Sequence, residues 1–305
     1  MITDRILTHG PARTRTGPTM SVTALLLAPA LAAVILLFGG GLVLGLIQSL
    51  GYLPAAGFDV LSLQHFRNIL TDRGFIESFG ITLNISLMAT LIAAIAGIIL
   101  ALSLAAMTPR NRLLKFIFQI PLTVPHLVIG VALMFMLSPA GLISRAAQNL
   151  GLVRGASTFP LLVNDRFGIG IILAYVWKEI PFITVMLSSV LHGSGKDLLE
   201  VGKTLKAGRF QRFRYITLPM IFPSLGAACL IVFAYTFGAF EIPFLLGRTY
   251  PMLLPVWAYK SYSDVDLMAR PEGIATGMII ALTVVVAVIL AHLLIRLARR
   301  RGVVI

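Results

Sequence analysis

Six runs of predominantly apolar residues dominate this 305-residue chain: 22–47, 81–107, 116–137, 169–191, 221–246 and 274–294. Each is long enough to cross the hydrocarbon of a bilayer as a helix, which takes about 20 residues. Lipid offers no hydrogen bonds, so a spanning backbone has to satisfy its own N–H and C=O groups, and a helix does this within one segment. A barrel would need short strands of alternating polarity, and these runs are too long and too uniformly apolar. Composition agrees: 58% of the residues are hydrophobic and only 12% are charged, about half the share usual for a soluble chain. The sequence therefore predicts an all-α membrane protein with six transmembrane helices.

The charges orient those helices. With the N-terminus, the 107–115 connection, the segment around Glu200 and the C-terminal tail on one side, that side carries 16 of the 25 basic residues and three of the 12 acidic ones. The opposite side holds eight basic and seven acidic residues. By the positive-inside rule the first side is cytoplasmic, and so are both termini. The net charge of +13 is then a topology signal and the partner it implies is the lipid membrane. Nucleic acid is not indicated, because the basic residues are divided among four short segments beside spans. The single cysteine, Cys229, lies in the fifth run and forms part of no disulfide or metal-ligand pattern. Arg13 and Arg15 ahead of an apolar run imitate a signal peptide, but the run continues to Ile47, beyond the roughly 7–15 residues of such a segment. It is read as a retained first span. The outer segments 48–80, 138–168 and 247–273 are too short for a separate folded domain.

One polar segment, 192–219, stands out. Asp197 followed by Glu200 has the form of a helix start, and Leu198, Val201 and Leu205 then make one apolar stripe. Gly208 reads as the helix stop. A second short helix would carry Phe210 and Phe213 on one side and Arg209, Arg212 and Arg214 on the other, ahead of Pro219 and Pro223 at the start of the fifth run. Such a crosswise helix either offers its stripe to a partner in the cytoplasm or lies on lipid. Gly202-Lys203-Thr204 looks like the tail of a phosphate-binding loop, but Asp197 stands where the first glycine is required and no strand precedes it. ATP binding is not expected in this chain.

Within the spans, Lys178, Glu179 and Glu241 are the charged residues, flanked by Trp177 and Phe240. Charges in hydrocarbon are costly and face protein or water. They either line a polar path across the membrane or form structural pairs. Adjacent residues point about 100° apart on a helix, so Lys178 and Glu179 cannot simply neutralise each other. Gly97 and Gly277 are candidates for close helix approach, and Pro121 and Pro125 for a kink in the third run. His9, His65, His126, His192 and His292 are scattered, with no nucleophile or second ligand at useful spacing, so no catalytic or metal site is expected.

Glu200-Val201-Gly202 precedes Ile216-Thr217-Leu218-Pro219, a spacing that resembles the Glu-Ala-Ala, three residues, Gly, nine residues, Ile-x-Leu-Pro pattern of permease subunits of binding-protein-dependent ABC importers, with their MetI-like fold. This chain resembles them over about 77–296: Glu200, Val201 and Gly202 occupy the first positions, and Ile216, Leu218 and Pro219 follow at the right spacing. Lys206 stands where the pattern has Gly, and Val201-Gly202 replace Ala-Ala; Gly208 is expected to supply the turn instead. The resemblance implies that Leu198, Glu200, Val201, Gly202, Leu205, Lys206, Gly208, Ile216, Leu218 and Pro219 couple the spans to a cytoplasmic ATPase. It implies a second permease subunit, two ATPase subunits that bind ATP and Mg, an extracytoplasmic substrate-binding protein, and no cofactor or catalysis in this chain. The expected organisation is a tail at 1–20, a first span with its outer loop at 21–76, a permease core at 77–296 and a tail at 297–305. Residues 237–247 and 264–271 resemble the polyamine, opine and phosphonate branch, which implies a spermidine/putrescine-like solute; sulfate, ferric iron, thiamine and phosphonate stay open. The rival class, an ion-coupled secondary transporter, predicts repeats with discontinuous helices at matching positions, and the two halves show no convincing repeat.

Overall fold

The computed structural model describes residues 20–54, 57, 59–106, 112–193 and 195–300. The tail expected at 1–20, apart from Met20, and the end of the tail expected at 297–305 lie outside the described residues. So do most of the 107–115 connection and the side chain of Asp197. The chain divides into two units, Met1–Ile47 and Gln48–Ile305.

The described residues of the first unit form one helical run. It consists of α1 (Met20–Ala33), a wider π-turn over Val34–Gly39 and the start of α2 (Gly40–Ser49). Within the described residues, six helical stretches are long and apolar enough to cross a membrane.

In the second unit, α3 (Gln64–Thr71) is followed at once by α4 (Arg73–Ala106). Asp72 starts α4 by accepting a hydrogen bond from the Phe75 N–H through Oδ1, at 2.9 Å. The helix therefore begins eight residues before the apolar run, at 81, because a polar cap and not hydrophobicity sets its start. The expected third span is broken. α5 (Arg112–Thr123) contains Pro121, and α6 (His126–Leu137) begins after Pro125. Pro125 has no N–H and drives Val124 out of the helical region. The outer segment that follows holds the short α7 (Leu142–Asn149). α8 (Ile169–His192) matches its run almost to the residue. The polar segment forms α9 (Gly195–Thr204) and α10 (Arg209–Arg212). The expected fifth span is also discontinuous: α11 (Leu218–Gly238) ends, Ala239 is extended, and α12 (Glu241–Leu246) follows. After α13 (Leu254–Tyr262), α14 (Arg270–Arg300) is the last helix among the described residues.

Three apolar clusters hold the second unit together. Ala93, Ala101, Ile183, Leu187, Ile221 and Val232 join α4, α8 and α11. Ile85, Ile129, Tyr175 and Ile242 join α4, α6, α8 and α12. Phe75, Phe237, Leu254 and Ala275 join α4, α11, α13 and α14. Lipid is as apolar as these side chains, so close packing and not water exclusion has to supply the attraction. Gly97 shows how. A Cβ there would lie 2.7 Å from Ile183 Cγ2, and Thr184 Oγ1 donates to the Gly97 carbonyl at 3.4 Å. Gly277 does not play the same part, since a Cβ there meets nothing within 4 Å.

Candidate functional site

Two places concentrate polar groups: the helix breaks and the α9–α10 hairpin. At the first break, α5 ends with carbonyls that have no helical partner. Lys178, buried on α8, reaches across and donates through Nζ to the carbonyls of Pro121 (3.3 Å) and Val124. A cation at a helix C-terminus opposes the negative end of the helix dipole as well as filling orphan acceptors. The next residue, Glu179, points to the other side of the break: its Oε1 is 3.9 Å from Nε2 of His126, the first residue of α6. Lys178 thus holds the end of α5, while Glu179 stands beside the start of α6. The angle between consecutive side chains that keeps them apart is what allows this.

His126 stacks on Tyr235 with ring centroids 4.6 Å apart, and Tyr175 meets Tyr235 edge-on at 6.5 Å. The Tyr175 hydroxyl and His126 Nε2 are buried and make no hydrogen bond among the described residues. Buried polar atoms without partners are rare and call for a function or a guest. Glu241 opens α12 at the second break and is exposed. Of the expected path residues, Lys178, Glu179 and Glu241 sit at the breaks. Trp177 does not join them; it lies on the open side of α8, 46% exposed. Phe240 packs in an aromatic group, 4.5 Å from Tyr259 and 4.9 Å from Phe244. Tyr175 was legible in principle, one helical turn before Glu179 on the same face; Tyr235 needs the tertiary structure.

The hairpin corrects one expectation. Gly208 does not stop α9: it is extended (φ −63°, ψ 163°) and caps the start of α10, its N–H donating to Gln211 Oε1 at 2.9 Å. The turn belongs to Lys206, at φ +56°. The Ala207 N–H donates to the Gly202 carbonyl at 3.1 Å and the Lys206 N–H to the Lys203 carbonyl at 2.9 Å, the paired bonds of a Schellman turn. Lys206 thus takes the left-handed conformation glycine favours, at the very position where the motif has glycine. Gly202 is buried, and a Cβ there would lie 2.7 Å from Ile216 Cδ1, so α9 is seated on the segment leading into α11. That segment widens into a π-turn over Phe213–Thr217, ahead of Pro219 in the first turn of α11. The proline ring conflicts with the carbonyl four residues back, and the wider turn relieves it. With α9 held from behind, Leu198, Val201 and Leu205 are left 49%, 55% and 76% exposed. Glu200 is exposed and accepts from Lys203 Nζ at 2.7 Å, which holds its carboxyl below the ordinary value of 4.5.

Broken spans around buried polar groups, together with a rigid polar hairpin on one face, define a polytopic helical transport protein. Discontinuous helices alone would also suit an ion-coupled carrier; comparison with known proteins decides between them. Residues 93–302 match the family of binding-protein-dependent transport system inner membrane components, and the chain belongs to it. It is the membrane permease component of an ABC importer, a multi-pass inner-membrane transport subunit and not an enzyme. The molybdenum transport permease ModB of Azotobacter vinelandii is 28% identical over 205 residues, covering 66% of this chain and 86% of that protein. The spermidine/putrescine permease PotB of Salmonella typhimurium is 27% identical over 232 residues, covering 76% and 77%. The fold is shared with a chain of a bacterial alginate ABC transporter solved with its pentasaccharide-bound periplasmic protein, at TM-score 0.75, 20% identity and coverage of 93% and 96%.

Proposed function

We propose that the chain pairs with a second permease subunit to form a translocation path, receives solute from an extracytoplasmic binding protein, and is driven through the α9–α10 hairpin by two cytoplasmic ATPase subunits. ATP and Mg would be bound by those subunits. The exposed Leu198, Val201 and Leu205 stripe carries the docking reading, because packing at Gly202 and Ile216 fixes the helix that presents it. A helix resting on lipid needs no such fixed seat. Substituting Leu205 by Glu is expected to release the ATPase during purification. Full ATPase retention with Glu at both Val201 and Leu205 would instead favour the lipid-resting helix.

For the solute, we propose a cationic, polyamine-like compound. Lys178 is committed to the α5 carbonyls, which leaves Glu179 and Glu241 as the uncommitted charges near the breaks. Acidic groups suit an amine better than an oxyanion such as molybdate. The spermidine/putrescine relative is consistent with this, although the molybdenum and alginate relatives show how broadly the fold is used. Glu179→Gln and Glu241→Gln in the assembled transporter are expected to slow polyamine uptake at unchanged assembly. Identification of an oxyanion as the ligand of the partner binding protein would overturn the solute proposal and leave the importer reading intact.

A further inference from the structure

Behind the hairpin lies a cleft that the exposed Leu198, Val201 and Leu205 stripe does not line. It has a volume of about 880 Å³, within the range of about 300–1,000 Å³ for ligand sites. Its two ends differ in chemistry. Leu102 near the end of α4, Leu191 near the end of α8 and Phe213 make an apolar floor, while Lys203, Arg209 and Arg212 make a basic rim with Glu200. Glu200 and Lys203 are joined to each other, so the cationic capacity left over is that of the two arginines. The Arg212 Nε is buried and makes no hydrogen bond among the described residues. Its stem packs at Gly202, where a Cβ would meet Arg212 Cγ and Cδ at 3.3 Å, which holds the guanidinium in place.

We propose that this cleft binds the phosphate headgroup of an anionic phospholipid, with Arg209 and Arg212 on the phosphate and the upper acyl chain against Leu102, Leu191 and Phe213. The location selects a lipid over a soluble phosphate. The floor is formed by the last turns of two spanning helices, so it lies at the depth where acyl chain gives way to headgroup. Basic pockets between helices at that level recognise acidic headgroups, and a guanidinium matches phosphate geometry. A lipid seated here would brace α9 against the ends of α4 and α8, setting how stiffly the hairpin transmits motion. This reading is independent of which solute is carried.

The test is native mass spectrometry of the full chain, purified from bilayers containing equal parts phosphatidylglycerol and phosphatidylcholine. The expected result is selective retention of phosphatidylglycerol, on the order of twentyfold, since a basic residue near the surface contributes about fivefold. Arg209→Gln, on the exposed rim where it leaves folding untouched, is expected to lower the preference about fivefold. Leu102→Trp, which fills the floor and keeps every charge, is expected to abolish it. Equal retention of the two lipids by the wild type would overturn the proposal. So would a preference that survives Leu102→Trp, which would mark diffuse surface attraction, or displacement of the lipid by inorganic phosphate, which would mark a soluble ligand.

Discussion

Lys206 shows how a motif can lose its signature residue and keep its geometry. A left-handed residue other than glycine costs about 1–2 kcal/mol, and the Schellman bonds at 2.9 and 3.1 Å hold it there regardless. Lys206→Gly is therefore expected to stabilise the hairpin by about 0.5–1 kcal/mol, the strain relieved less the added freedom of the unfolded chain, read as a rise in the thermal midpoint with ATPase coupling retained. Gly208→Ala is expected to be neutral, because its φ of −63° suits any residue and a Cβ there meets only Gln211 Oε1, at 3.6 Å. At Glu200 the sign is that of a depressed carboxylate: the Lys203 contact is present at neutral pH and is lost only as pH falls through a value below 4.5. Replacing Lys203 with Met is expected to return the Glu200 titration, followed by NMR of the labelled carboxyl, to the ordinary carboxylate range.

At the scale of elements, the breaks matter more than the helices. Pro125 made a kink in the third run legible, but nothing local announces the extended Ala239 between α11 and α12. The clamp on the first break is a tertiary device, since Lys178 takes its partners from Pro121 and Val124, more than 50 residues away. Lys178→Met leaves two carbonyls without their cation and is expected to cost about 1–3 kcal/mol, measured as a lower thermal midpoint in detergent. An undiminished midpoint would show that the break is held by packing alone. Gly97→Ala probes the α4–α8 contact. With Ile183 Cγ2 2.7 Å and Cβ 3.0 Å away, the added methyl is expected to cost about 1–3 kcal/mol, and Ile183→Ala is expected to recover part of it.

For the whole molecule, the sequence alone determined the class. Six apolar runs, sixteen basic residues on one side and the Glu200–Gly202 and Ile216–Pro219 spacing pointed to a six-span importer permease, and the family match over 93–302 agrees. These are properties of length, polarity and local spacing, which act on each segment by itself: an apolar run crosses a bilayer whatever its neighbours are. The tertiary structure decided what each charge does. Lys178, Glu179 and Glu241 are indistinguishable in a sequence as buried charges in spans. Only the fold commits Lys178 to helix-end carbonyls, sets Glu179 by His126 and leaves Glu241 exposed at a second break. The sequence also placed the hairpin turn at Gly208 from propensity, whereas the structure puts it at Lys206. The physical reasons differ: the carbonyls that fix Lys178 lie more than 50 residues away and are met only in the fold, whereas the turn at Lys206 is fixed by backbone bonds to Gly202 and Lys203, which outweigh the preference of a single side chain.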